Sequence, residues 1–224
     1  METIFVIAVL LNIPIALAAF ISSFILLRRA KNNQIYFNFG LANLFLALWA
    51  TDIILLFSFP KFGMIFGNLS WFLGIWILHY FLIFTYYFPT PLKTKIYFDK
   101  TVLYFLTLLL SFSIFIPGFY TLDVHSVFPY IYFQVNTVGM LIFSGYFVLL
   151  AILAFKNLFF QYRRSDGIFK IQLKKIMSAV ALAVLFNLIF SVNFYYFTKF
   201  DLTPIGILFT SGILFYIYLI LFYV

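Results

Sequence analysis

The chain has 224 residues, of which 66% are hydrophobic and only 9% charged, with a mean hydropathy of +1.13 and a formal net charge of +8. Soluble domains carry about a quarter of their residues as charges, so this is a chain built for lipid. Cysteine is absent, which excludes disulfides, thiolate metal sites and thiol catalysis.

In a hydrocarbon core every backbone N–H and C=O must be paired internally, which leaves helices or closed barrels. Barrel strands alternate over about ten residues, whereas the apolar runs here extend over about twenty without that period. The expected fold is therefore an all-α membrane protein: a single seven-transmembrane helix bundle over 1–224, with no soluble domain. The spans fall at approximately 3–27, 36–59, 64–88, 101–120, 129–155, 174–197 and 202–224. Each is long enough to cross a core about 30 Å thick. Arg28–Asn33, Pro60–Gly63, Pro89–Lys100, Pro117–Pro129, the stretch around 161–175 and Thr198–Asp201 break the runs. The first span has its positive cluster after the apolar run, so it reads as a retained signal-anchor.

Loops one, three and five of such a bundle share a side with the C-terminus. They hold Arg28, Arg29, Lys31, Lys93, Lys95, Lys100, Lys156, Arg163, Arg164, Lys170, Lys174 and Lys175, twelve of the fourteen basic residues. Only Lys61 and Lys199 lie opposite. Short loops rich in Lys and Arg stay in the cytoplasm, which predicts the N-terminus outside and the C-terminus cytoplasmic. Loop five is the main anchor. Arg163 and Arg164 end the fifth helix near its negative dipole end, Ser165-Asp166-Gly167 supplies a turn and cap, and Lys170, Lys174 and Lys175 open the sixth helix. The basic excess sits in loops, so no nucleic-acid partner is expected.

Ionisable groups inside spans are the usual functional pointers in membrane proteins, and two qualify. Asp52 lies towards the outer end of the second span; hydration there competes with a proton- or ligand-linked role. His79, on the third span, is predicted at the depth of Asn43, so that an imidazole–amide bond would join the two helices. A sensing or proton-carrying histidine is the other reading. Gln134, Asn136 and Asn193 project towards the level of Asp52 and could line an outward cavity for a small ligand, or act as polar glue between helices. Gly63, Gly67 and Gly74 allow close helix approach, and Trp71 and Trp76 read as packing or interfacial aromatics. The seventh span has no Lys for a retinal Schiff base. Neither Ser144-Gly145 nor Ser211-Gly212 lies in a protease-type Gly-x-Ser-Gly turn, and there is no HExxH or phosphate-binding loop. No catalysis, metal or cofactor is expected.

Three stretches resemble the N-terminal seven-transmembrane region of bacterial sensor histidine kinases. "NNQIYFNFGLANLFLALWA" (32–50) is similar to the family's polar opening and small-and-Leu run ending in Trp, here Trp49. "HYFLIFTYYFP" (79–89) is similar to its His-aromatic-x-Leu-x-aromatic-Pro ending, with Thr85-Tyr86-Tyr87 intervening. "YRRSDGIFKIQLKKI" (162–176) is similar to its basic segment between helices five and six, with Gln172 and Leu173 in the expected place. The resemblance implies a membrane sensor that passes a rearrangement of its last helix to a cytoplasmic kinase. The catalytic kinase part would lie beyond Val224 or on a separate protein. Expected partners are the lipid bilayer, a second copy of the chain, a cytoplasmic kinase or output module and a small ligand; localisation is the bacterial cytoplasmic membrane, multi-pass. The rival readings are a small transporter or channel, which normally buries more polar groups at the midplane, and a scaffold subunit.

Overall fold

A computed structural model describes residues 2–91, 100–127, 130–187, 189 and 203–223. Among them are seven α-helices: α1 (Glu2–Arg28), α2 (Gln34–Ser58), α3 (Gly63–Tyr87), α4 (Lys100–Ser113), α5 (Thr137–Arg164), α6 (Gly167–Asn187) and α7 (Thr203–Tyr223). The segments Val9–Arg28, Gln34–Ser58, Pro60–Tyr87 and Thr137–Arg164 are long and apolar enough to cross a membrane, while Lys100–Ser113 and Ile205–Leu221 are shorter apolar helices. The chain is a membrane protein, and its helix surfaces are dressed accordingly: Leu17, Phe24, Leu141 and Phe112 are all exposed.

Each of α1, α2, α3, α5, α6 and α7 packs on at least two others of this set, closing a ring in the order α1-α2-α3-α5-α6-α7, with α2 also touching α7 and α4 against α3. Small residues bring α1 and α2 together. Ser23 donates to the Gly40 carbonyl at 2.9 Å, and a Cβ on Gly40 would lie 3.0 Å from the Leu27 side chain. Without water to drive apolar surfaces together, such close approaches and interhelical hydrogen bonds hold a bundle. Asn33 caps α2 by accepting from the Ile35 and Tyr36 amides, and a single 3-10 turn, Pro60–Phe62, joins α2 to α3.

The structure corrects the all-α expectation between α4 and α5. Residues Thr121–Val127 (β1) and Tyr130–Val135 (β2) form an antiparallel hairpin with a bulge between Thr121 and Asp123. The fourth span, expected over 101–120, is helical only to Ser113. Pro117 explains the stop: its ring would strike the Ser113 carbonyl in a continued helix, and it pushes Ile116 out of the helical region. Gly118, at φ +75°, then turns the chain. The fifth span, expected to begin at 129, begins at Thr137, because Tyr-Ile-Tyr-Phe-Gln-Val has the β-branched and aromatic character of a strand. Asn136 caps α5 by accepting from the Val138 amide and donates to the Gly118 carbonyl at 3.0 Å. Helix α6 begins at Gly167, ahead of the apolar run expected from 174, so Lys170, Lys174 and Lys175 ride exposed on its first turns. Gly63 approaches the hairpin rather than a helix, since a Cβ there would lie 2.8 Å from the Val124 side chain.

Candidate functional site

The most connected polar group lies where α3, α4 and α5 meet. His79 is fully buried, and its Nδ1 lies 2.8 Å from the Thr107 hydroxyl. Thr107 Oγ1 in turn lies 2.7 Å from the Tyr146 hydroxyl and 2.8 Å from the Leu103 carbonyl, which Tyr146 also reaches at 3.2 Å. The bonding pattern favours the tautomer with the proton on Nδ1. With the proton on Nδ1, His79 donates to Thr107, Thr107 donates to the Leu103 carbonyl, and Tyr146 shares its proton between Thr107 and that carbonyl. With the proton on Nε2, Thr107 would have to abandon the carbonyl, and a buried N–H would be left without an acceptor. Nε2 has no hydrogen-bond partner, and the rings of Tyr104 and Trp76 lie edge-on to the imidazole at 4.4 and 5.2 Å.

This geometry replaces the expected His79–Asn43 bond. Asn43 faces the other way, donating to the Phe39 carbonyl at 2.8 Å and accepting from Ser22 of α1 at 3.3 Å. Both residues are buried polar helix contacts, but they join different pairs of helices. His79 is fully enclosed and Tyr146 is 8% exposed, so the chain of hydroxyls has no wide aqueous mouth. It staples three helices.

The residues of the expected outer polar cluster each have their own place. Asp52 is buried on α2 and accepts from Ser70 of α3 through Oδ2, while Oδ1 has no partner. Gln134 is exposed on β2, opposite Asp123, and Asn136 is engaged in capping α5. Asn193 lies outside the described residues. No group of three or more potential metal ligands occurs among the described residues.

A second polar system lies at the opposite end of the bundle. Asn157 of α5 donates to Thr85 of α3 at 3.0 Å, and Gln161 donates to the Thr90 carbonyl at 2.7 Å. Lys100 donates to the Tyr87 hydroxyl at 2.9 Å. Arg163 and Arg164 close α5, with the Arg164 guanidinium 3.8 Å from the centre of the Phe160 ring, and only Ser165 and Asp166 separate α5 from Gly167, which has φ +59°. Gln172 leaves the basic hairpin altogether: it is buried and donates to the Ile220 carbonyl of α7 at 3.1 Å. Near the other end of α6, Phe186 stacks on Phe209 of α7 with ring centres 4.1 Å apart. Thus α6 and α7 are fastened at two levels.

The sequence reading missed Thr85, Thr107, Tyr146, Asn157 and Gln161. Asn157 and Gln161 carried a legible signal, two amides four residues apart on the helix that Arg163 and Arg164 end, but they lie beyond the apolar run expected at 129–155. Thr107 and Tyr146 carry none, because one hydroxyl in an apolar helix normally bonds to its own backbone. No family model matches the chain, and neither does any curated protein.

Proposed function

We propose that the chain is a seven-span sensory input module of the two-component type, with its N-terminus outside and its C-terminus in the bacterial cytoplasm, whose output is a kinase domain or partner rather than catalysis by these helices. The observation that carries the reading is the Gln172–Ile220 bond. It ties the start of α6, beside the basic hairpin, to the last turn of α7, so a change of packing within the ring reaches the end from which a sensor would transmit. A stimulus acts by favouring one of two such packings. The weight of basic residues at the α1–α2 and α5–α6 turns supports the orientation.

Topology is tested directly because the chain has no cysteine. In Lys61→Cys and Arg163→Cys variants, a membrane-impermeant maleimide added to intact cells should label only the former; labelling of Arg163→Cys from outside would overturn the orientation. Output is tested by ATP-dependent phosphorylation in native membranes. Gln172→Leu should shift its level about fivefold, the scale of about 1 kcal/mol of coupling. An unchanged level, or solute flux through liposomes holding the purified chain, would sink the sensory reading in favour of a transporter.

A further inference from the structure

The outer surface of the α5–α6 hairpin carries its cations in register with lipid-facing apolar residues. Along α5 the exposed residues Ile152, Lys156, Phe159 and Arg163 follow at intervals of three or four and so share one face. Along α6 the exposed residues Lys170, Lys174, Ser178, Ala181 and Leu185 do the same. Gln172, Leu173, Ile176 and Val180, on the other side of α6, are buried. The chain reverses at Ser165-Asp166, so both outer faces carry their terminal cations at the same end. Lys170 of α6 lies with its Nζ 5.5 Å from the centre of the Tyr162 ring of α5, which brings the cations of the two helices to one place.

The dimensions match half a bilayer. Eleven residues separate Ile152 from Arg163, and eleven separate Lys174 from Leu185. Each stretch rises about 16 Å, against about 15 Å for one leaflet of a core about 30 Å thick. The membrane-crossing segment of α5 ends at Arg164, so the cations stand at the level of lipid headgroups. Asp166 is the only acid between Lys156 and Asn187 and offsets little of that charge. Ile168, Phe169 and Ile171 are exposed among the lysines, a mixture that suits the boundary between headgroups and acyl chains rather than water. Fixing the orientation of a span asks only for Lys and Arg in the loop; it does not ask for cations placed in line above exposed apolar residues on two adjacent helices.

We propose that the α5–α6 hairpin binds an anionic phospholipid of the adjacent leaflet, its phosphate met by Arg163, Lys170 and Lys174 and its acyl chains laid along the outer faces of α5 and α6. Arginine and lysine supply the charge-assisted donors that a phosphate oxygen takes. Phe159 and Ile152 below Arg163, and Leu182 and Leu185 below Lys174, give the chains their apolar track. A zwitterionic lipid would fit the same track but brings its own cation to a site that already has several. Binding rests on these two faces alone and stands apart from the sensory reading.

The test uses the full chain in phosphatidylcholine vesicles, with a phosphatidylglycerol that carries a diazirine in one acyl chain as the photoreactive probe. The same diazirine on phosphatidylcholine reports contact with lipid in general. Phosphatidylglycerol labelling should saturate and be concentrated in segments 152–163 and 174–185, and unlabelled phosphatidylglycerol should displace it. Lys174→Gln should lower the ratio of phosphatidylglycerol to phosphatidylcholine labelling in those segments about fivefold, the scale of about 1 kcal/mol for one cation near a membrane surface. Arg28→Gln, at the end of α1, should leave that ratio unchanged. Both side chains are exposed, so both variants should fold. Phosphatidylglycerol labelling spread evenly over all outward residues, Leu141 and Phe112 included, would overturn the proposal, because net charge would then attract the lipid without a site. So would an unchanged ratio in Lys174→Gln or an equal loss in Arg28→Gln. Displacement by free glycerol 3-phosphate as effective as that by the lipid would assign the cations to a soluble phosphate and would equally overturn the lipid site.

Discussion

Helices α3 and α4 are neighbours of similar apolar character, yet they are held in different ways. From Leu73 to Tyr86 every residue of α3 except Gly74 and Tyr80 is buried, so its C-terminal half is surrounded by protein. In α4 only Leu103, Thr107 and Ser111 are buried, spaced by one helical turn, while Val102, Phe105, Leu109 and Phe112 are exposed. In water such a surface would drive α4 inward, but lipid chains are as apolar as leucine, so hydrophobicity does not choose a face. Two of the three residues that face inward are hydroxylic. A hydroxyl on an apolar helix, more than any leucine, shows which side meets protein.

The comparison can be broken most severely at Gly139, in the first turn of α5. A Cβ there would overlap the Phe119 carbonyl oxygen in the turn that leads from α4 into the hairpin. A rigid backbone atom cannot step aside as a flexible side chain can, so Gly139→Ala should cost about 3 kcal/mol. Tryptophan-monitored unfolding in detergent measures this; a loss below about 1 kcal/mol would show that the turn yields freely. Next is Thr107→Val, which keeps the shape but removes the common partner of His79 and Tyr146. A loss of about 2 kcal/mol is expected, since two buried polar groups lose a bond each. His79→Leu should cost much less in the Thr107→Val background than in the unmutated chain; additive losses would mean that the two residues act independently. Third is Gln172→Leu, which deletes one interhelical bond and should lower stability by about 0.6 kcal/mol, the usual size of such bonds in membranes. Its larger effect should be on output.

Length and composition made most helices legible. The ends of α1, α2 and α3 lie within two residues of the apolar runs expected at 3–27, 36–59 and 64–88, because charged or proline-containing breaks flank those runs. Between α4 and α5 that rule failed for a physical reason. Apolar content is shared by a membrane helix and by a strand rich in Tyr, Ile and Phe, so only Pro117, Gly118 and the alternation within Tyr130–Val135 distinguished them. The site was less legible still. Asp52, Asn43 and His79 stood out as polar residues in apolar runs and are all buried, but their partners, Ser70, Ser22 and Thr107, come from other helices. Partner choice depends on how helices rotate about their axes, and hydropathy holds no record of that rotation.

The smallest effect tests the comparison at its most general point. Phe112 is 71% exposed on α4, one residue beyond the buried Ser111. Truncating a phenylalanine in a soluble core costs about 3–5 kcal/mol, because the side chain leaves an apolar interior and a cavity remains. Here lipid surrounds the ring in both the separated and the packed states of α4, and lipid refills the vacated volume. Phe112→Ala should therefore change unfolding stability in bicelles by less than about 0.5 kcal/mol, the range of ordinary surface substitutions. A loss comparable to that of Thr107→Val would mean that Phe112 faces protein, such as a second copy of the chain, rather than lipid. Cross-linking of a Phe112→Cys variant into a dimer would then identify that partner, and α4 would be a buried helix after all.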